Sequence, residues 1–158
     1  MIRLKDILTE VSIDKNVRIH MSKTPMTLMK KSYEQDIEMK PNGFWYGFGQ
    51  AWIQWTKTEM PEWTGKYIYE VVIEKGNVLK IDTYEKLLQF NEEFSTANIP
   101  GITVIDWKKV ASKYDGIEIV PYQNKARSNY DLLWYFGWDV ASGCVWNLDN
   151  VSLKLITS

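Results

Sequence analysis

Residues 43–60 read GFWYGFGQAWIQWTKTEM, and the change of pattern halfway along them decides the fold class. Gly43 to Gly49 is a short aromatic strand interrupted by glycines, which mark places where a ligand or another backbone comes close. From Gln50 the spacing becomes helical, with Trp52, Trp55 and Thr56 on one side, until Pro61 stops the run. A strand feeding a helix recurs on both sides of this stretch.

Upstream, residues 17–22 (VRIHMS) alternate with period two. A strand there puts Val17, Ile19 and Met21 on one face, with Arg18 and His20 on the other. Residues 27–33 are expected to be helical, and residues 34–42 form a polar loop ending in the turn signal Pro41-Asn42-Gly43. Ile2, Leu4, Ile7 and Leu8 suit a short N-terminal helix or arm within residues 1–15.

Downstream, residues 66–74 form the clearest strand, with Tyr67, Tyr69, Val71 and Ile73 on one face and Glu70 and Glu74 on the other. Gly76-Asn77 reads as a hairpin turn into a second strand at 78–82. Thr83 caps a helix over 84–94 that turns Leu87, Leu88 and Phe94 inward. After a loop at 95–103, Asp106 caps a helix carrying Trp107, Val110, Ala111 and Tyr114 at helical spacing. Residues 117–121 are a strand, Ser128 caps a short helix through Phe136, and strands at 143–147 and 151–156 are joined by Leu148-Asp149-Asn150. With no repeat, linker or low-complexity tract, residues 1–158 read as one domain of the α+β class.

Composition narrows the function. Nineteen basic and twenty acidic residues give a net charge of −1, so no excess positive field favours non-specific nucleic-acid binding. The single cysteine, Cys144, permits no internal disulfide, and with one histidine the chain matches none of the usual zinc spacings. No apolar run approaches the roughly 18 residues of a membrane span, and the opening MIRLKD lacks the apolar core of a secretion signal. A cytoplasmic protein is expected. Phosphate-loop, dinucleotide-fold and nucleophile-elbow motifs are all missing. Eight tryptophans stand out, and four of them (Trp45, Trp52, Trp55 and Trp63) fall close together. Flat rings at that density, around 43–63 and again around 134–146, suit a small-molecule pocket that stacks on a ring or sugar, a nucleotide first among them, and equally a bulky aromatic core.

Polar residues on the expected strands complete the candidate set: Arg18 and His20, Trp45 and Tyr46, Glu118 in DGIEI, and Asp139 and Ser142 ahead of the final sheet segment. Each also has an ordinary structural explanation, from a hydrogen-bonded strand histidine to the outward side of a half-buried strand.

In order along the chain these segments resemble the ADP-ribosyltransferase superfamily, in particular its small, divergent bacterial and phage members. VRIHMS at 17–22 is similar to the family's first motif, an Arg or His on an early strand. KPNGFWYGFG at 40–49, followed by a helix, resembles its aromatic second motif. YDGIEI at 114–119 resembles the "YDG" strand, and CVWNLDNVSLKLI at 144–156 resembles the closing strand pair. The resemblance spans most of residues 17–156. It implies a split antiparallel sheet with flanking helices, NAD as substrate, and transfer of ADP-ribose to a protein or nucleic-acid acceptor in the cytoplasm, the host's if the chain is phage-encoded. It implies catalytic roles among Asp139, His20, Glu118 and Ser142, and NAD contacts from Arg18, His20, Trp45, Tyr46 and Trp52, with no metal. Where the family carries an acidic residue just before the closing phrase, this chain has Ser142 and Gly143. Either Asp139 or Glu118 takes the acidic role, or the fold serves as an inactive nucleotide-binding or host-protein-inhibiting module of a mobile element.

Overall fold

The computed structural model describes residues 13–157; the expected N-terminal helix lies outside them. Among the described residues, ten strands and three α-helices follow one another as β1 (Arg18–Ser22), β2 (Ile37–Glu38), β3 (Phe44–Phe48), α1 (Ala51–Glu59), β4 (Tyr67–Ile73), β5 (Val78–Ile81), α2 (Tyr84–Phe94), β6 (Ser95–Ile99), β7 (Ile102–Asp106), α3 (Trp107–Ala111), β8 (Gly116–Ile119), β9 (Ser142–Val145) and β10 (Val151–Thr157). Short 3-10 turns at Pro61–Trp63, Asn124–Ser128 and Tyr130–Gly137 fill the connections. The main sheet has seven strands in the order β10-β4-β1-β3-β9-β8-β5. Every neighbour is antiparallel except the β5–β8 pair. A second sheet orders β2-β7-β6, also antiparallel. The α+β class follows directly.

Alternation along the strands sorts the side chains between two faces. Gly47 opposes Ser142, and Tyr46 and Glu118 both oppose Gly143. Facing partners share a side of the sheet, so Ile19, Met21, Trp45, Gly47 and Ser142 lie on one face. Arg18, Tyr46, Gly143 and Glu118 lie on the other. The first face carries α1 over Ile19, Met21 and Ile68 at one end. At the other end it carries a large aromatic core built by α2, α3 and the 3-10 segment, with Phe90, Trp107, Trp134, Trp138 and Trp146 buried together.

The second face is covered by the segment that precedes β2, and here the structure corrects an expectation. Residues 27–33 form no helix. Their backbone groups are taken by neighbours instead: Tyr33 N donates to Trp146 O at 2.8 Å and Leu148 N to Lys31 O at 2.9 Å. Met26 and Leu28 then pack on the core of that face. An extended cover strapped to the sheet satisfies the same polar groups as a helix, and lays apolar side chains flat.

The Gly76-Asn77 turn closes no hairpin, because β5 lies at the far edge of the sheet, parallel to β8. Asn77 is held by the chain entering β8 instead. Its backbone N donates to Asp115 Oδ2 at 3.0 Å and its side chain to Lys113 O at 2.8 Å. Likewise β9 and β10 are not a pair: β9 sits between β3 and β8, and β10 borders β4. The expected loop at 95–103 is a hairpin, β6 turning at Pro100-Gly101 into β7.

Capping follows the sequence closely. Thr83 accepts from Lys86 N and Asp106 from Lys109 N. In α2, Phe90 is buried with Leu87 and Phe94, whereas Leu88 turns outward. The 3-10 segment after residue 129 is capped by Asn129, not Ser128, whose hydroxyl donates to Lys125 O.

Candidate functional site

The glycine at 47 brings α1 onto the sheet. A Cβ there would stand 2.7 Å from Trp52 Cβ, so only glycine lets β3 and the first turn of α1 close together. Trp52 stacks on Trp55 at 5.2 Å, and Trp63 tilts against both. Across from this platform the chain leaving the 3-10 segment presents Trp138, whose ring meets Trp45 edge-on at 4.9 Å. Between them lies a cavity of about 320 Å³, a size in the range of small-molecule sites.

Six of the eight residues singled out from sequence line it: His20, Trp45, Tyr46, Trp52, Asp139 and Ser142. Arg18 and Glu118 are not among its lining residues. Among the lining residues not singled out as site residues are Lys40, Trp63 and Trp138. Lys40 has a signal in hindsight, a cation just before the turn that opens β3. Its Nζ lies 5.4 Å from the centre of the Trp45 ring, a cation–π distance.

His20 enters where the pairing of β1 with β3 stops. The two strands are registered at Arg18↔Phe48 and Ile19↔Gly47. One residue on, the His20 ring takes the place of a ladder bond, with Nδ1 2.7 Å from Trp45 O. A carbonyl only accepts, so Nδ1 carries the proton and the neutral ring keeps Nε2 as an acceptor. The ring also packs on Phe44 at 4.3 Å. Burial pulls its pKa below the ordinary 6.5, and the bond to Trp45 O opposes that only in part.

The sign of the consequence follows. A histidine depressed in the folded state contributes stability that is complete above 6.5 and is lost as pH falls through its lower folded value. Thermal melts of the wild type should therefore weaken as the solution is acidified below pH 6.5, and His20→Gln should flatten that dependence. Equal acid sensitivity in the two proteins would refute the assignment.

Asp139 is partly exposed, and its nearest cation is Arg127, 3.9 Å away. Arg127 is itself held by Tyr122, to whose hydroxyl its Nε donates. Ser142 is buried and its hydroxyl donates to Val140 O at 2.9 Å, which fixes the turn leading from Asp139 into β9. Ser142 thus positions the Asp139 turn.

On the opposite face, three strands assemble a separate polar row. Arg18 Nε donates to Glu118 Oε1 at 2.5 Å, and the Tyr46 hydroxyl donates to the same oxygen at 2.9 Å. β9 lies between Tyr46 and Glu118, and at that point it carries Gly143. A Cβ at Gly143 would sit 2.7 Å from the Tyr46 ring, so the bare backbone lets the phenol reach across. Burial, reinforced by the charge of Glu118, raises the Tyr46 pKa well above its ordinary value. Tyr46 stays a donor. Glu118, 5 % exposed, is enclosed, and its Oε1 accepts from both Arg18 and Tyr46.

Cys144 is buried, and burial pushes its thiol pKa well up, away from a nucleophilic thiolate. Among the described residues no cluster of His, Cys, Asp and Glu is arranged to hold a metal, and no helix is long and apolar enough to cross a membrane. No family model matches the chain, and no curated protein or solved structure matches it significantly.

Proposed function

We propose that the chain is an NAD-dependent ADP-ribosyltransferase with the split-sheet fold of that superfamily, acting on a macromolecular acceptor. The observation that carries this reading is the cavity itself: tryptophan walls, a histidine at the parting of β1 and β3, and a carboxylate, Asp139, on the same lining.

The chemistry follows from charge. Breaking the bond between ribose C1′ and the nicotinamide nitrogen sends its electron pair to nicotinamide and leaves positive charge on the ribose. A carboxylate already in place beside the ribose stabilises that charge as it develops. The acceptor's nucleophile then forms a bond to C1′, and its proton passes to Asp139. His20, with Nδ1 already committed to Trp45 O, keeps Nε2 to accept a hydrogen bond from a ribose hydroxyl. Trp45 offers the face on which a flat ring lies, and Lys40, the cation on the lining, pairs with the pyrophosphate. That last role replaces the one implied for Arg18, whose Nε is engaged by Glu118.

Nicotinamide release from NAD, measured with and without bacterial lysate, tests the reading. Release that depends on lysate is the expected result, and labelled NAD then marks the acceptor. A rise in melting temperature with NAD but no release would make this an inactive binding module, the reading that Ser142 and Gly143 in the acidic position favour. Neither signal would overturn both.

A further inference from the structure

Trp107, Trp134, Trp138 and Trp146 are buried in the large core, where each takes a large apolar ring out of water. Trp52, Trp55 and Trp63 gather elsewhere, on α1 and the 3-10 turn that follows it. Trp52 and Trp63 line the cavity, and Trp63 is 51 % exposed. The wet part of an indole adds nothing to folding, yet the local structure holds this ring in place. Pro61 opens its turn, Trp63 N donates to Met60 O at 2.9 Å, and Thr64 N donates to Pro61 O at 3.1 Å.

Trp52 and Trp55 back the ring. They are parallel within 10° and 5.2 Å apart, and their centres lie 6.3 and 6.2 Å from that of Trp63. The pair is narrower than its distance from Trp63, so both neighbours lie in one direction from that ring. Among the described residues no other ring stacks on Trp63 and its side chain makes no hydrogen bond. The ring is thus supported on one side and accessible on another, which suits stacking by a second flat group. Charge agrees. The cation of the lining, Lys40, belongs to the opposite wall, over Trp45 and against Gly137, so the platform offers a ring and not an ion pair.

We propose that Trp63 is the adenine-stacking residue of the cavity, the contact that selects a dinucleotide over its nicotinamide half. This rests on the NAD reading, which lays one ring on Trp45 and sets the pyrophosphate at Lys40. Lys40 lies over Trp45, so the half of the ligand beyond the pyrophosphate runs away from that wall. Of the other aromatic residues on the lining, Tyr46 and Trp138 are buried. The platform that ends in Trp63 is the accessible aromatic surface left for a second ring. Because Trp52 and Trp55 hold the indole before the ligand arrives, little freedom is lost on binding.

Titrations with NAD, AMP and nicotinamide mononucleotide separate the two halves of the ligand. In Trp63→Ala, affinity for NAD and for AMP should each fall about tenfold or more, the size of one base–tryptophan stack. Affinity for nicotinamide mononucleotide should be unchanged, which shows that the rest of the cavity is intact. Trp63→Phe, which keeps a flat face, should restore most of the loss. In the wild type, AMP should shift the Trp63 ring resonances and nicotinamide mononucleotide should leave them in place. If the wild type binds NAD and Trp63→Ala binds NAD and AMP as tightly, or loses nicotinamide mononucleotide to the same degree, the Trp63 assignment alone is wrong. If the wild type binds none of the three, the NAD reading has failed and this inference with it.

Discussion

Asp139→Ala is expected to lower nicotinamide release by roughly 100-fold or more, the range seen when one preorganised electrostatic group is removed from a reacting centre. NAD affinity should change little. The reasoning rests on when the charge appears. In bound NAD the ribose carbon carries little positive charge, so the carboxylate contributes mainly as the glycosidic bond stretches. Binding depends more on the tryptophan walls, His20 and Lys40. Asp139→Asn should behave like the alanine variant, since it keeps the shape but loses the charge. Stability offers the control. The only ion pair recorded for Asp139 among the described residues is the partly exposed contact with Arg127 at 3.9 Å, and such pairs are worth about 0–1 kcal/mol. A variant that is inactive, folded and still stabilised by NAD fits the proposal. One with undiminished release refutes the role of Asp139.

Much of the fold is legible in local pattern, and the misses of topology share one cause. Alternation at 17–22 places Ile19 and Met21 inward, and the caps at Thr83 and Asp106 are where the sequence puts them. These features depend on neighbours within four residues. The Gly76-Asn77 turn also has a local signature, but Asp115 and Lys113 hold Asn77 from 36 or more residues away and send the next strand to the far edge. Residues 27–33 are expected to be helical, yet Tyr33 and Lys31 bond to Trp146 and Leu148, more than a hundred residues on. The site divides in the same way. That Trp45 and Trp52 belong to a cavity is suggested by aromatic density around glycines. That the Trp138 N–H is left unpaired depends on which acceptors the other elements happen to offer. Sequence cannot express that.

Glu118 is the sharpest case, since a carboxylate on a strand named by resemblance sits in the sequence as plausibly as Asp139. Its partner Arg18 is 100 residues away, and the intervening strand admits the Tyr46 ring only because residue 143 is glycine. Glu118→Ala should therefore be felt as instability. It strands the Tyr46 hydroxyl, which is 3 % exposed as a residue, at a cost of about 1–3 kcal/mol. It also leaves the Arg18 charge without its counterion. Breaking a fully buried pair costs about 3–5 kcal/mol, but the Arg18 side chain is 24 % exposed and can turn partly to water, so its share is smaller. A total near 3 kcal/mol lowers the melting temperature by roughly 6–12 °C for a domain of this size. Arg18→Met with Glu118→Leu, which removes both charges and fills the space, should recover the Arg18 share of that loss but not the share of the stranded Tyr46 hydroxyl. Nicotinamide release, normalised to folded protein at low temperature, separates the two carboxylates. If Glu118 only ties three strands together, the double variant keeps its activity. If instead Glu118→Ala melts like the wild type and is inactive, Glu118 and not Asp139 serves the reacting ribose, and the catalytic face of the sheet is the one that carries Arg18.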